Sequence, residues 1–470
     1  MLPVAVLSVF GDMLVAAESR APNILFIVAD DMSWHSTGYM GDPVVSTPNL
    51  DRLAAEGVVF TRMAVTTSIC MVSRATLLTG QWLSRMGGAR VTGATWPDTW
   101  PARLRAAGYF GGHIGKIHVQ GQEASQYDFW AGRNGPYHWI PDEAGQPLHS
   151  IQHDTDEALQ FLRTRPKNQP FFLQVAYTVP HAEDREPRQY LPMPQEEGLY
   201  LDTTVPVPTT AADEYWQRLP SFFREHENEG RRRWRWRFDT PERYQVYMKD
   251  YYRLITGMDR SIGTILDALR ANGVDDNTIV IFTGDNGYFH GEHGLADKWY
   301  AYEESLRVPL VVRDPRLPVQ RHGQRCDDWV LNVDLAPTFC AFAGLTPPDA
   351  MQGRDITALL RGQTPKDWRN DFLYQFKWSS EVISASEAVC SQEWKYIRWI
   401  ATGTEELFHL TKDPREVRDL AGDPQQAGEL ARLRLRLATL KREVGGARIE
   451  DLKDMPFGPP AAASLRGGAQ

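Results

Sequence analysis

Two short runs of unbroken hydrophobicity, each ending in acidic residues, constrain the fold of this chain more than any other feature. The first is Ile24-Leu25-Phe26-Ile27-Val28-Ala29, followed by Asp30 and Asp31; the second is Ile279-Val280-Ile281-Phe282-Thr283-Gly284, followed by Asp285, Asn286 and Gly287. A strand with one wet face alternates apolar and polar residues, whereas an unbroken run needs cover on both faces, as inside a parallel sheet. A third such run, 170–177, leads into Pro180 and His181. Helical patterns lie between the runs. Residues 47–57 have Thr47 as the expected N-cap, Pro48 as the first helical residue and Gly57 as the stop. Residues 100–107 and 155–165 are shorter helices, and 244–272 carries Leu254, Ile255, Met258, Ile262, Ile265, Leu266 and Leu269 on one face. The expected fold class is therefore α/β, a large mixed, mostly parallel sheet sandwiched by helices. Beyond a Pro-, Gly- and Arg-containing stretch that reads as a linker (347–365), segments 372–378, 385–390, 395–400 and 406–410 read as strands and 425–444 as a Leu-striped helix. That order predicts a smaller C-terminal α+β domain, an antiparallel sheet plus a helix. The expected division is 22–363 for the first domain, 364–446 for the second and 447–470 for a tail.

Ligands of open α/β sheets bind outside the carboxyl ends of the strands, where Asp30, Asp31, Asp285 and Asn286 fall. Three carboxylates and an amide oxygen are hard donors that favour calcium or magnesium over zinc; one pair of acids alone would only cap the next turn. Cys70 opens a segment of helical spacing, with Arg74 one turn on along the same side. A helix start suits anionic groups and lowers a thiol's pKa, although a cysteine there also serves plain packing. Lys116 and His118, two apart in the expected strand 109–119, share a face and suggest an anion site; on an exposed edge the same pair would mean little. In the aromatic and Gly-rich stretch 126–139, Arg133, Tyr137, His138 and Trp139 either line a sugar pocket or pack a loop. His181 is placed for chemistry just past a buried strand.

The formal net charge of −9 over 470 residues argues against a general nucleic-acid binder. The Arg231–Arg237 run, with its interleaved Trp234 and Trp236, reads first as a surface helix with snorkelling arginines, and last as a nucleic-acid surface. The four cysteines are not in Cys-x-x-Cys spacing, which excludes the usual zinc or redox pairs and leaves one disulfide among Cys326, Cys340 and Cys390 open. Residues 1–17, apolar at the start and ending in Val15-Ala16-Ala17, read as a secretory signal, hence an exported protein. No segment has the apolar length to span a membrane.

Cys70-Met71-Val72-Ser73-Arg74, followed by Ala75-Thr76-Leu77-Leu78-Thr79-Gly80, resembles the signature of the type I sulfatases of the alkaline phosphatase superfamily. Val72 departs from it; the family usually carries Pro there, sometimes Ala. The resemblance extends to both strand-end acid segments, Gly115-Lys116-Ile117-His118, Pro180-His181, the stretch 291–298 and the stretch 302–310, and runs from Asn23 to about Gly422. It implies sulfate-ester hydrolysis with a formylglycine made from Cys70 by a formylglycine-generating enzyme. It also implies a calcium ion, ahead of magnesium, on Asp30, Asp31, Asp285 and Asn286, with residue 70 completing the shell. By the same resemblance Arg74 and Lys116 hold residue 70, His181 with Lys298 assists the leaving alcohol, His118 takes a proton from residue 70, and His293 lies near the substrate. The expected partner is a sulfated sugar or polysaccharide, which the 231–237 segment would also suit as a grip. Two alternatives stay open: a phosphoester hydrolase of the same superfamily, and, because of Val72, a non-catalytic binder of sulfated glycans.

Overall fold

A computed structural model describes residues 20–135, 137–184, 186–377 and 382–452. The expected signal segment, residues 453–470 of the expected tail and the last residue of the expected strand 372–378 lie outside the described residues.

The central sheet contains, in chain order, β1 (Asn23–Ala29), β2 (Val58–Phe60), β3 (Phe110–Lys116), β4 (Phe129–Arg133), β5 (Phe171–Ala176), β6 (Thr278–Gly284), β7 (Leu310–Arg313) and β8 (Gln324–Cys326). Their spatial order is β8-β2-β7-β6-β1-β5-β3-β4. Within this sheet β7 alone runs against its neighbours; β1, β3, β5 and β6 are parallel. The unbroken runs have the predicted cause. Leu25, Ile27 and Ala29 of β1 enter one core with Val280 and Phe282, while Ile24, Phe26 and Val28 enter another with Ile279 and Ile281. Helices α1 (Pro48–Glu56), α4 (Ser150–Thr164) and α6 (Pro241–Ala271) cover the first face. Helices α3 (Trp100–Ala106) and α7 (Asn332–Phe342) cover the second.

A four-stranded antiparallel sheet follows, β9 (Asp371–Phe376), β10 (Ser386–Ser391), β11 (Trp394–Trp399) and β12 (Glu405–His409), with helix α8 (Ala427–Val444) against it. Its apolar residues, including Phe372, Tyr396, Leu407 and Leu437, share one core with Val72, Ala75 and Leu78 of helix α2 (Cys70–Thr79).

Three local expectations are corrected, and the open question of a disulfide is answered. Thr47 makes no side-chain cap on α1; the amides of Asn49 and Leu50 instead donate to Asp259 of α6, at 3.1 and 2.8 Å. A tertiary carboxylate outcompetes the local hydroxyl, because it satisfies two orphan N–H groups at once. The strand expected over 109–119 ends at Lys116, and His118 sits beyond it with φ +52°. The expected linker is packed: Met351, Ile356, Leu359 and Leu360 are buried in the core that holds Phe26 and Phe339. All four cysteines are free and buried.

Candidate active site

The four parallel strands β6, β1, β5 and β3 end side by side, with Ala29 opposite Gly284, Val28 opposite Ala176, and Gly115 opposite Ala176. The residues that follow them converge at one edge of the sheet. Asp30 N donates to Val179 O and Asp285 N to Ala29 O, both at 3.0 Å, so the backbone carries the strand ends into the site in register. Gly115 permits this approach. It has φ +86°, and a Cβ there would lie 2.1 Å from the carbonyl oxygen of Ala176.

Helix α2 points its first turn at the same place. It is buried except at Met71 and stops at Gly80, whose left-handed backbone (φ +65°) lets its N–H reach Thr76 O. Cys70 Sγ lies 3.2 Å from His118 Nδ1. One turn on, Arg74 Nε donates to Asp285 Oδ2 at 2.7 Å, and its terminal nitrogens reach the carbonyls of Lys116 and Tyr177. Lys116 Nζ donates to Asp30 and Lys298 Nζ to Asp31. His181 Nδ1 donates to Ala182 O at 2.6 Å, which leaves Nε2 facing Asp31 Oδ2 at 3.4 Å. The structure thus brings together Asp30, Asp31, Cys70, Arg74, Lys116, His118, His181, Asp285, Asn286 and Lys298 from six separate segments.

Electrostatics follow from burial and these pairings. Burial alone would raise the Asp30 carboxyl, but the Lys116 ammonium, with His181, Arg74 and Lys298, holds it far below the usual carboxylate range. Asp285 goes the other way: burial and the neighbouring Asp30 charge push it well up against the pull of Arg74. Burial, then the Lys116 charge, pushes the His118 imidazole down to about 3. Burial also lowers His181, against the pull of Asp31.

The donor set fits a hard cation. Asp30 Oδ1 and Asn286 Oδ1 are buried oxygens without a hydrogen-bond partner, on two of the four expected ligands. Such atoms are costly to leave bare and are ordinarily paired. Asp30, Asp31 and His181 also offer ligand atoms within 4.8 Å of one another. Asp285 Oδ1 faces the Asp31 amide at 3.2 Å, and its Oδ2 is held by Arg74.

Three residues expected at the substrate are committed elsewhere. Arg133 pairs through both terminal nitrogens with the buried Asp154 of α4. His138 is fully buried and uses both ring nitrogens, Nε2 on His181 O at 2.8 Å and Nδ1 on Leu191 N at 3.3 Å; it supports the loop of His181. His293 is 1% exposed and stacks on Tyr302, facing the C-terminal sheet beside Glu406 and Phe408. Tyr137, from the same aromatic stretch, does reach the site: its ring lies 4.4 Å from the His181 ring and 4.8 Å from Lys116 Nζ.

The Arg231–Arg237 run departs most from expectation. It forms helix α5 (Glu229–Arg237), and two of its arginines face inward. Arg237 is fully buried and donates to Tyr288 Oη at 2.7 Å and to Asp297 Oδ2 at 3.4 Å, and also pairs with Asp184. Arg233 pairs with Asp184, Asp297 and Glu229, and its guanidinium lies 5.3 Å from the Trp299 ring. Asp297 and Trp299 flank Lys298 and both have left-handed backbone, φ +78° and +85°. Non-glycine residues hold such conformations only where their surroundings over-determine them, and Arg233 touches both. Spacing was the available signal, since positions 233 and 237 share a helix face; what partners that face has is invisible in one sequence.

Residues 22–345 match the family model described as Sulfatase, and residues 291–443 match the model described as N-sulphoglucosamine sulphohydrolase, C-terminal. An N-acetylglucosamine-6-O-sulfatase of Bacteroides thetaiotaomicron is 29% identical over 87% of this chain and 84% of its own length. A multifunctional alkaline phosphatase superfamily protein, PehA of Trinickia caryophylli, is 28% identical over 86% of this chain and 92% of its own. A structure solved in complex with its substrate D-glucosamine-2-N,6-O-disulfate superposes with a TM-score of 0.81 at 26% identity, covering 90% of this chain and 98% of that one.

Proposed function

The chain belongs to the sulfatase family of sulfuric ester hydrolases, and from that membership we propose that it acts on a sulfated carbohydrate, with Cys70 converted to formylglycine and a calcium ion held by Asp30, Asp31, Asp285 and Asn286. The observation that carries this reading is the position of Cys70: its Sγ is 3.2 Å from a histidine nitrogen, and three buried cations, Arg74, Lys116 and Lys298, stand around the acids beside it. Relatives that act on sulfated glucosamines support the substrate class. Export is part of the same reading and rests on the 1–17 segment.

Each residue then has a defined task. Arg74, Lys116 and Lys298 supply fixed positive charge to a bound sulfate group, where preorganised donors stabilise charge that develops in the transition state. His118 Nδ1 is placed to hold or take a proton at the reacting atom of residue 70. The hydrogen bond from Nδ1 to Ala182 O fixes the His181 tautomer and presents Nε2 to the departing alcohol as a proton carrier. Tyr137 packs against the His181 ring, tilted by 33°. When present, formylglycine supplies a hydrated-aldehyde hydroxyl as nucleophile, and the calcium ion polarises a sulfate oxygen.

The test is the mass of the residue-70 peptide in protein coproduced with a formylglycine-generating enzyme, paired with sulfate release from N-acetylglucosamine 6-sulfate and related sulfated sugars. Thiol replaced by aldehyde, together with turnover, is expected. An unmodified thiol in every preparation, with no turnover, would sink the reading and favour a glycan binder. The PehA likeness supports one second reading; faster cleavage of a matched phosphate ester than of the sulfate ester would establish it.

A further inference from the structure

Helix α5 has a second basic face. At 100° per residue, positions 231 and 235 lie on the side of the helix opposite 233 and 237, with 232 and 236 between them. Contacts bear this out: Arg233 and Arg237 reach Asp184 and Asp297 beside Lys298, whereas Arg231 and Arg235 line a separate cavity of about 300 Å3. Arg224 and His226 complete its basic wall, over a floor of Trp216 and Phe223, and no carboxylate lines it.

This cavity is built rather than incidental. The Arg231 guanidinium is clamped between the Trp234 and Trp216 rings, at 3.7 and 4.9 Å, and donates to Gly294 O at 3.0 Å. Its only close carboxylate among the described residues is Asp213, itself 68% exposed. Arg224 donates to two backbone carbonyls, Trp216 O and Leu219 O, and pairs with no carboxylate among the described residues. Arg235 is 54% exposed, with Glu227 no nearer than 3.7 Å. A cavity with three guanidiniums and an imidazole in a chain of net charge −9 runs against the overall field. Guanidiniums match the geometry of oxyanions. The ridge between the two faces carries Arg232 and Trp236, in contact at 5.2 Å. The width of one helix, about 10 Å, separates the cavity from the face that packs beside Lys298.

We propose that the Arg224–His226–Arg231–Arg235 cavity is a second anion subsite, which takes a sulfate or carboxylate group on a neighbouring residue of a polyanionic glycan while the target ester lies at Cys70. This rests on the sulfated-carbohydrate reading of the site.

The probes are a size-defined heparin octasaccharide and its fully desulfated counterpart, titrated calorimetrically into the Cys70→Ala protein. Arg224→Ser/Arg235→Ser should bind the sulfated probe about tenfold or more weakly, because charge-assisted hydrogen bonds are lost, and with a shallower salt dependence. Arg432→Ser/Arg434→Ser on α8, an equal charge change on side chains 56% and 51% exposed, should bind within about twofold of the parent. If the same loss appears with the desulfated probe, a carboxylate occupies the cavity; if that probe binds the parent without dependence on Arg224 and Arg235, a sulfate does. Arg235→Ser alone keeps the test available should the double variant fold poorly. Equal affinity of parent and R224S/R235S, equal loss in the α8 control, or no binding of the sulfated probe to the parent would each overturn the proposal. Turnover of a monosaccharide sulfate by the matured enzyme separates the two readings. No turnover with Arg-dependent binding fells the catalytic reading alone, and normal turnover with Arg-independent binding fells the subsite alone.

Discussion

Glu406 offers a sharp test of how the C-terminal sheet is held. Its carboxylate is 3% exposed and accepts from Tyr302 Oη at 2.9 and 3.0 Å and from Trp399 Nε1 at 2.7 Å. Burial, then the charge of Asp419, pushes it up to about 8 from an ordinary 4.5. The folded carboxyl is raised, so the native state keeps a proton that the unfolded chain has already lost. The associated stability is full below the unfolded value and is lost as pH rises through the folded one. Between those values the native state carries one extra proton, which gives a slope of about −1.4 kcal/mol per pH unit and roughly 4–5 kcal/mol over the whole window. Glu406→Gln keeps the shape and removes the titration. Urea unfolding of both proteins at about pH 5, 6, 7 and 8 should show the parent losing stability relative to the variant by about 1.4 kcal/mol per pH unit, with unchanged m-values. Glu292, pushed by burial to about 7, titrates in both proteins and drops out of the difference. Parallel pH profiles would show that Glu406 is ionised in the fold, and the reasoning from burial would fail.

Three other outcomes follow from the same structure. Arg237→Met leaves Asp184 and Asp297 without a fully buried partner and should cost about 3–5 kcal/mol in urea unfolding, with part recovered when Asp297→Asn is added; full additivity of the two changes would refute the pairing. In the matured enzyme His181→Ala should slow esters of poor leaving alcohols by about 10²–10⁴-fold and good aryl leaving groups far less; equal losses across a leaving-group series would remove its role as acid. Calcium should raise the thermal midpoint of the protein, reversibly with chelator, and Asn286→Ala should weaken that response; a midpoint indifferent to calcium would count against the proposed ligand set.

The sheet and its edge were legible because their signals are local. An unbroken run such as 24–29 reports burial on both faces, and its terminal acids mark the end where ligands bind. The candidate-site motifs were legible through resemblance, and the structure brings their residues to one place. What stayed hidden depends on partners distant in sequence. Asp259 displaces Thr47 as the cap of α1 from 210 residues away. Arg133, His138 and His293 have the residue types of a sugar pocket, yet each is committed to a buried neighbour that no spacing announces. Arg233 and Arg237 were read as solvent-facing because a run of arginines ordinarily is; their carboxylate partners, at 184 and 297, come from two other loops.

The core shared by α2 and the C-terminal sheet sets an order of events during synthesis. Val72, Ala75 and Leu78 are sealed by residues of β9 to α8, which leave the ribosome some 300 residues after Cys70. In the finished protein Cys70 is 5% exposed, and its helix has no face free for another enzyme to grip. Any enzyme that converts residue 70 must therefore work on the growing or unfolded chain, before the last strands close the wall. On the formylglycine reading proposed above, the position of the C-terminal sheet acts as a deadline: a chain that folds ahead of its modification would be locked with a thiol at its centre.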